Sequence, residues 1–189
     1  MNLPNKLTVL RICLVPVVIA LMLIDFPFHW LAALLVFAAA SITDLLDGKI
    51  ARAQGLVTDF GKFADPLAHK VLVFSVLVCF VEANLASSVV ILLLLAREFV
   101  VTAVRLSAAA GGKVVAASFW AKAKTVSQMI AIIAIFLLVQ LLDLGWLPFL
   151  TGQLVQIISE LLLWVTAVFS LVSGVQYVLN NLEFIKTAK

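Results

Sequence analysis

Ionisable side chains are concentrated between residues 44 and 69 of a chain that is otherwise strongly apolar. Asp44 and Asp47 are spaced at i and i+3, which places both carboxylates on one face of a helix, and Arg52 follows them. Asp65 and His69, at i and i+4, share a face of the next predicted helix in the same way. Two such helices joined by a short loop form an oxygen-rich pocket for divalent cations and a phosphorylated ligand. The pattern indicates chemistry on phosphates at a membrane surface.

The rest of the chain has the composition of a membrane protein. Of its 189 residues, 65% are hydrophobic and 12% are charged, which leaves too few charges to coat a soluble domain. Apolar runs of about 18 residues or more are typical of membrane-spanning helices. The sequence therefore predicts an all-α integral membrane protein, a bundle of about six transmembrane helices in one domain over residues 1–189. The predicted spans are residues 7–24, 29–47, 66–84, 87–109, 120–141 and 151–180.

The distribution of basic residues predicts the orientation of this bundle. None of the 13 lysines and arginines lies in the connections at 25–28, 85–86 and 142–150, whereas the other connections and both termini are basic. The positive-inside rule then places both termini in the cytoplasm, in a membrane of bacterial cytoplasmic type. Anionic lipid headgroups account for the positive charge, so no nucleic-acid partner is needed. The acidic segment falls on the cytoplasmic side of the predicted bundle.

The spacing of the acidic segment resembles the signature D-x2-D-G-x2-A-R-x8-G-x3-D-x3-D of the CDP-alcohol phosphatidyltransferase family. Seven of the eight fixed positions match, and the eighth, an aspartate in the family, is His69 here. The matching residues are Asp44, Asp47, Gly48, Ala51, Arg52, Gly61 and Asp65. Such agreement over 26 residues is very unusual by chance.

The resemblance implies a metal-dependent site. Two divalent cations, Mg²⁺ or Mn²⁺, are expected on the aspartates of the signature, with His69 at the position of the fourth ligand and general base. The expected metal ligands are Asp44, Asp47, Asp65 and His69. CDP-diacylglycerol is expected to lie against Asp44, Gly48, Ala51, Arg52 and Gly61, where small residues leave room for the nucleotide and the guanidinium balances the diphosphate.

Two features of the third predicted helix bear on whether Asp65 and His69 are metal ligands. Asp65 and Pro66 are predicted to begin that helix after a turn at Gly61, so capping is an alternative role for Asp65. Histidine accepts a proton readily near neutral pH but is a poor ligand for Mg²⁺, which prefers oxygen. The sequence therefore leaves two readings of His69 open, a working histidine base or a chain whose turnover is impaired.

A second charged group lies in the fourth and fifth predicted spans. We expect Arg97 and Glu98 to pair with each other, and Arg97 to face an aqueous cavity or another polar helix. Arg105, Lys122 and Lys124 are each explained as lipid-surface anchors. Together they are predicted to bind an anionic second substrate.

The charged group narrows the family resemblance. Arg97-Glu98-Phe99, Arg105 and Lys122-x-Lys124-Thr125 resemble the phosphatidylglycerophosphate-forming branch, whose acceptor alcohol is glycerol 3-phosphate. The opening Leu3-Pro4-Asn5-x-Leu7-Thr8-x2-Arg11 resembles the same branch. The implied reaction transfers the phosphatidyl group from CDP-diacylglycerol to glycerol 3-phosphate and releases CMP.

Several alternatives to this reaction remain open. A membrane transporter also places ions among its helices, although near the midplane rather than at one rim. A membrane protein that binds CDP-diacylglycerol without turnover is another. A homodimer is expected, and Glu160, which has no role in the signature, is a candidate for contacts across its interface.

Overall fold

The computed structural model describes residues 3–53, 59–110 and 119–181, with side chains at 7–43, 65–108 and 119–181. Every regular element in these ranges is an α-helix, so the predicted all-α fold is confirmed. The helices are α1 (Leu3–Leu23), α2 (His29–Ala53), α3 (Asp59–Glu82), α4 (Ser88–Ala110), α5 (Phe119–Asp143) and α6 (Gly152–Leu179). Each overlaps one predicted span, because long uninterrupted apolar runs determine both.

The start of α3 differs from the prediction. The helix begins at Asp59, so Gly61 lies inside it and Asp65 is not its N-cap. Pro66 is an interior residue of the helix. A proline removes the hydrogen bond that its own N–H would donate, but the neighbouring bonds can carry the helix past it. The local Asp-Pro signal was therefore misleading about the helix boundary.

Large apolar side chains cover much of the helix surfaces. Leu35, Phe99 and Leu161 are each more than 60% exposed. Among the described residues, α5 and α6 are long and apolar enough to cross a membrane, while α1 and α2 contain shorter apolar segments, Leu7–Leu23 and His29–Thr43. Apolar surface of this extent is stable in lipid rather than in water, so the chain is a membrane protein.

The chain divides into two compact units, the first formed by Met1–Ala83 and Phe136–Phe149. In this unit α1 packs against α2 and α3. Its core includes an aromatic cluster in which the ring of Phe136 lies 6.1 Å from Phe37 and 5.2 Å from Phe80, measured between centroids. The helices that carry the acidic signature are thus held by α1 on one side. The single domain stays a prediction.

The first unit also holds the start of α2. The backbone N–H of Leu31 donates to Oε1 of Gln140 at 2.9 Å, which satisfies one of the N–H groups that a helix leaves open in its first turn. Nε2 of His29 lies 3.6 Å from Oδ2 of Asp143. These contacts fix the end of α2 opposite the acidic signature.

The second unit consists of Asn84–Ile135 and Leu150–Lys189, and in it α4 packs against α6. The face of α6 buried in this unit carries small and hydroxyl-bearing residues: Ser159, Thr166, Ala167, Ser170, Ser173 and Gly174. Small residues let helix backbones approach closely in a membrane, where the hydrophobic effect contributes little to helix association. A Cβ added at Gly174 would lie 2.9 Å from Cγ of Arg97, so this contact requires glycine.

Candidate functional site

The first part of the acidic signature lies on one continuous helix. α2 extends through Ala53, so Asp44, Asp47 and Ala51 occupy i, i+3 and i+7 of a regular helix, as predicted from their spacing. Gly48 and Arg52 are also in α2. The side chains of these residues lie outside the described part of the chain, so their predicted ligand contacts stay predictions.

The second part of the signature lies on α3. Asp65 and His69 are one helical turn apart and both are partly buried, while Ala68 beside them is fully buried. Oδ1 of Asp65 accepts a hydrogen bond from the hydroxyl of Thr8 on α1. The side chain of Thr8 is itself fully buried. Asp65 is therefore oriented by a neutral donor from another helix.

Arg11, one turn beyond Thr8, ties α1 to α2. Its side chain is fully buried, and Nε donates to the backbone carbonyl of Ala40 at 3.2 Å. The same carbonyl accepts the hydroxyl of Thr43 at 2.8 Å. Ala40 precedes Asp44 by one turn, so α1 contacts both helices of the signature close to their acidic residues.

Sequence reasoning gave no structural role to Thr8 and Arg11. In the sequence they stand out only as part of a loose opening motif, although their spacing also indicates contact with another helix. They are polar residues at i and i+3 in an otherwise apolar helix, and polar groups on one face of a membrane helix usually contact protein rather than lipid.

The charged group of the second unit forms a buried network. Nη1 of Arg97 lies 2.7 Å from Oε1 of Glu98, which confirms the predicted pair. Nε of Arg97 donates to the carbonyl of Ser170 at 3.1 Å, and Nη2 donates to the hydroxyl of Ser173 at 2.6 Å. Arg97 thus faces the polar side of α6, as expected for an arginine within a span.

The three predicted acceptor-binding residues have different surroundings. Lys124 is buried, and its ammonium lies 2.5 Å from Oε1 of Glu98. Lys122 is exposed. Arg105 is also exposed, with its guanidinium carbon 5.9 Å from the ring centroid of Tyr177, within the range of a cation–π contact. Their binding of an acceptor stays a prediction.

Glu160 has partners within its own chain. Oε2 accepts the backbone N–H of Ser87 at 2.6 Å, directly before α4 begins, and Oε1 accepts the indole N–H of Trp164 at 3.0 Å. A carboxylate at this position also interacts favourably with the positive end of the helix dipole. These contacts account for a carboxylate at position 160 without a dimer interface. The homodimer stays a prediction.

The described part of the proposed metal site is compatible with a divalent cation. Within the ranges whose side chains are described, no three His, Cys, Asp or Glu side chains are grouped to hold a metal, but Asp44 and Asp47 lie outside those ranges. Asp65 supplies hard oxygen, which Mg²⁺ and Mn²⁺ prefer. Its described hydrogen-bond partner is a neutral hydroxyl, which leaves the carboxylate charge available to a cation.

Comparison with known proteins decides the family. The family model for CDP-alcohol phosphatidyltransferase matches residues 1–172. The chain belongs to the CDP-alcohol phosphatidyltransferase family. This confirms the resemblance drawn from the signature, and the transporter alternative has no support from the family match.

Curated relatives agree with this assignment. A CDP-diacylglycerol–glycerol-3-phosphate 3-phosphatidyltransferase of Bacillus subtilis is 40% identical, over 99% of this chain and 98% of the relative. Enzymes of the same name from Rickettsia bellii and Haemophilus influenzae are 37% and 32% identical over 93% of this chain, covering 93% and 91% of their own lengths. The resemblance thus extends over nearly the full length of each protein.

Proposed function

We propose that this family member transfers the phosphatidyl group of CDP-diacylglycerol to glycerol 3-phosphate, giving phosphatidylglycerophosphate and CMP. The observation that carries the proposal is the 40% identity to the Bacillus subtilis enzyme over 99% of the chain. The signature on α2 and α3 supports the same chemistry, since its carboxylates suit a cation-bound diphosphate.

The reaction is a substitution at one phosphorus atom. The acceptor hydroxyl of glycerol 3-phosphate forms a bond to the phosphorus that carries diacylglycerol. The bond from that phosphorus to the bridging oxygen of the diphosphate breaks, and CMP leaves with the electron pair. The hydroxyl proton passes to a base, for which we propose the imidazole of His69. Positioning and electrostatics contribute most of the acceleration, because no covalent enzyme intermediate is needed.

The donor substrate and its cations are assigned to α2 and α3. Asp44, Asp47 and Asp65 are the proposed ligands of two Mg²⁺ or Mn²⁺ ions, which when bound would stabilise negative charge on the diphosphate. His69 stands at the fourth ligand position, and there it would either complete this set or act as the base, because a neutral imidazole has a single basic nitrogen. Arg52 would add positive charge beside them. Gly48, Ala51 and Gly61 are proposed to make room for the cytidine diphosphate.

Glycerol 3-phosphate is assigned to the basic residues Arg105, Lys122 and Lys124. An anionic acceptor needs such residues, whereas inositol or serine would not. The ammonium of Lys124 donates one hydrogen bond to Glu98. Lys122 and Arg105 are exposed on the surface of the protein.

The six helices are proposed to be six membrane spans with both termini and the acidic signature on the cytoplasmic side. Helix lengths of 21 to 28 residues support this, as does the distribution of basic residues. A cysteine placed at Phe28, with Cys13 and Cys79 replaced, should react with a membrane-impermeant reagent from outside intact cells. Labelling only after lysis would contradict this orientation.

Direct measurement of transfer tests the function. Purified protein in detergent micelles, with CDP-diacylglycerol, radiolabelled glycerol 3-phosphate and Mg²⁺ or Mn²⁺, should form labelled lipid and an equal amount of CMP. Chelation of the metal should stop the reaction, and serine or inositol should not replace the acceptor. Binding of CDP-diacylglycerol without product would support a non-catalytic binding protein or a form impaired at His69.

A further inference from the structure

A hydrogen bond between Thr8 and Asp65 joins α1 to α3. Thr8 is fully buried on α1, and its hydroxyl donates to Oδ1 of Asp65 on α3. A buried hydroxyl without a partner would cost free energy, and a partly buried carboxylate is also stabilised by a hydrogen-bond donor. The pairing therefore satisfies both groups, although they are 57 residues apart in sequence.

We infer that Thr8 is a positioning residue that holds the Asp65 carboxylate in the orientation required for cation binding. This inference rests on the proposed function, in which Asp65 is a metal ligand. Groups that hydrogen-bond to metal ligands fix the ligand's orientation, and their loss typically weakens metal affinity or activity about 10- to 100-fold.

A threonine hydroxyl suits this task because it is neutral and stiff. A lysine or arginine would also orient the carboxylate, but its positive charge would compete with a divalent cation. A carboxylate has about four lone-pair sites on two oxygens, so one hydroxyl leaves most of its coordinating capacity free. The branched Cβ of threonine restricts its χ1 angle in a helix, which limits where the hydroxyl can point.

The rest of α1 supports the same role. Arg11 lies on the same face one turn later and bonds the carbonyl of Ala40 on α2. A shift of α1 would therefore disturb its contacts with both helices of the signature. Thr8 can orient Asp65 only because its own helix is held in place in this way.

The experiment uses the full-length protein in detergent micelles and measures Mn²⁺ binding directly, by the loss of the free-ion electron paramagnetic resonance signal without substrate. Thr8→Val keeps the shape and removes the donor, so Mn²⁺ affinity should fall about tenfold. Thr8→Ser keeps the hydroxyl and should restore affinity to within about threefold of the unmodified chain. In an Asp65→Asn background, Thr8→Val should have no further effect, because the two residues act through one interaction.

Thr166→Val is the matched control. Thr166 is also fully buried, and its hydroxyl donates to the carbonyl of Leu162 on its own helix in the second unit. This control should leave Mn²⁺ affinity unchanged. Transfer assays across Mn²⁺ concentrations should show Thr8→Val raising the metal concentration for half-maximal rate more than it lowers the rate at saturation.

Two results would overturn the inference. One is a Thr8→Val protein that binds Mn²⁺ as tightly as the unmodified chain. The other is a Thr8→Ser protein that loses as much affinity as Thr8→Val, since equal losses would indicate packing alone. If the unmodified chain catalyses transfer with Mn²⁺ and Thr8→Val binds the ion normally, only the role of Thr8 fails. If the unmodified chain neither binds Mn²⁺ nor catalyses transfer, the proposed function fails as well. Should Thr8→Val not fold, Thr8→Ala takes its place in the same comparison.

Discussion

Asp65 in the first unit and Glu98 in the second are both partly buried carboxylates, yet their donors differ in charge. Asp65 accepts a hydrogen bond from the neutral hydroxyl of Thr8. Oε1 of Glu98 lies 2.7 Å from Nη1 of Arg97 and 2.5 Å from Nζ of Lys124. Among the described side chains, the donor to Asp65 is neutral, whereas Glu98 lies between two cations of the protein itself.

This difference supports the proposed role of Asp65 as a metal ligand and indicates that Glu98 is a structural counter-ion. A carboxylate whose charge is balanced by two protein cations has little to offer a metal ion, and its loss leaves those cations buried without compensation. A carboxylate held by a hydroxyl keeps its charge for an incoming cation. We therefore expect substitutions at Asp65 to affect activity and substitutions at Glu98 to affect stability.

The largest expected effect is on activity at Asp65. Asp65→Asn keeps the side-chain volume and removes the charge, so transfer should fall at least about 100-fold, because metal ligation contributes several kcal/mol to such reactions. The thermal unfolding midpoint should change little. Asp25→Asn, an exposed residue between α1 and α2, is the control and should keep full activity. A stable, fully active Asp65→Asn protein would remove Asp65 from the site.

The second prediction concerns stability at Glu98. Glu98→Gln removes the carboxylate charge that lies between the buried Arg97 and Lys124, which should destabilise the protein by about 3 kcal/mol. Thermal unfolding in one detergent measures this, with the exposed Glu82→Gln as a neutral control. Adding Lys124→Met should recover part of the loss. An unchanged unfolding midpoint would mean that the network does not stabilise the second unit.

The third prediction adds a carboxylate beside Asp65. His69→Asp restores the family's residue one turn away and supplies a hard oxygen ligand, so Mg²⁺-dependent transfer should rise about tenfold, which needs about 1.4 kcal/mol of barrier. Initial rates and half-maximal Mg²⁺ concentrations of the two forms would be compared. If the unmodified chain is fully active and the aspartate variant is no faster, His69 is a working base and the impaired reading is wrong.

The smallest expected effect is on stability at Gly174, and it measures how tightly α6 packs against the side chain of Arg97. In Gly174→Ala the new Cβ would meet Cγ of Arg97 at 2.9 Å, and Arg97 is held by Ser170, Ser173 and Glu98. Because that side chain is not free to move aside, the variant should lose about 1 kcal/mol. Thermal unfolding measures the change. A gain in stability, as expected for alanine in an unconstrained helix, would show that the contact is loose.

The local features of this protein could be read from its sequence. Six apolar runs predicted six helices, because a helix satisfies its own backbone and the length of an apolar run needs no knowledge of its neighbours. The spacing of Asp44, Asp47 and Ala51 likewise predicted one helical face. The start of α3 was missed, since Asp65-Pro66 carries a strong local capping signal that the continuous helix from Asp59 overrides.

The partners of the polar side chains were decided only by tertiary structure. Thr8 meets Asp65, Lys124 meets Glu98 and Ser87 meets Glu160 across separations of 57, 26 and 73 residues. Such pairs depend on the rotation and depth of whole helices, which the composition specifies only weakly because apolar residues occur around most of each helix. The sequence determined which residues are able to do chemistry. The packing of the helices determined which carboxylates can bind a cation. The charge of the neighbouring donors decides this, because a carboxylate that is already paired with protein cations has little charge left to offer a metal ion.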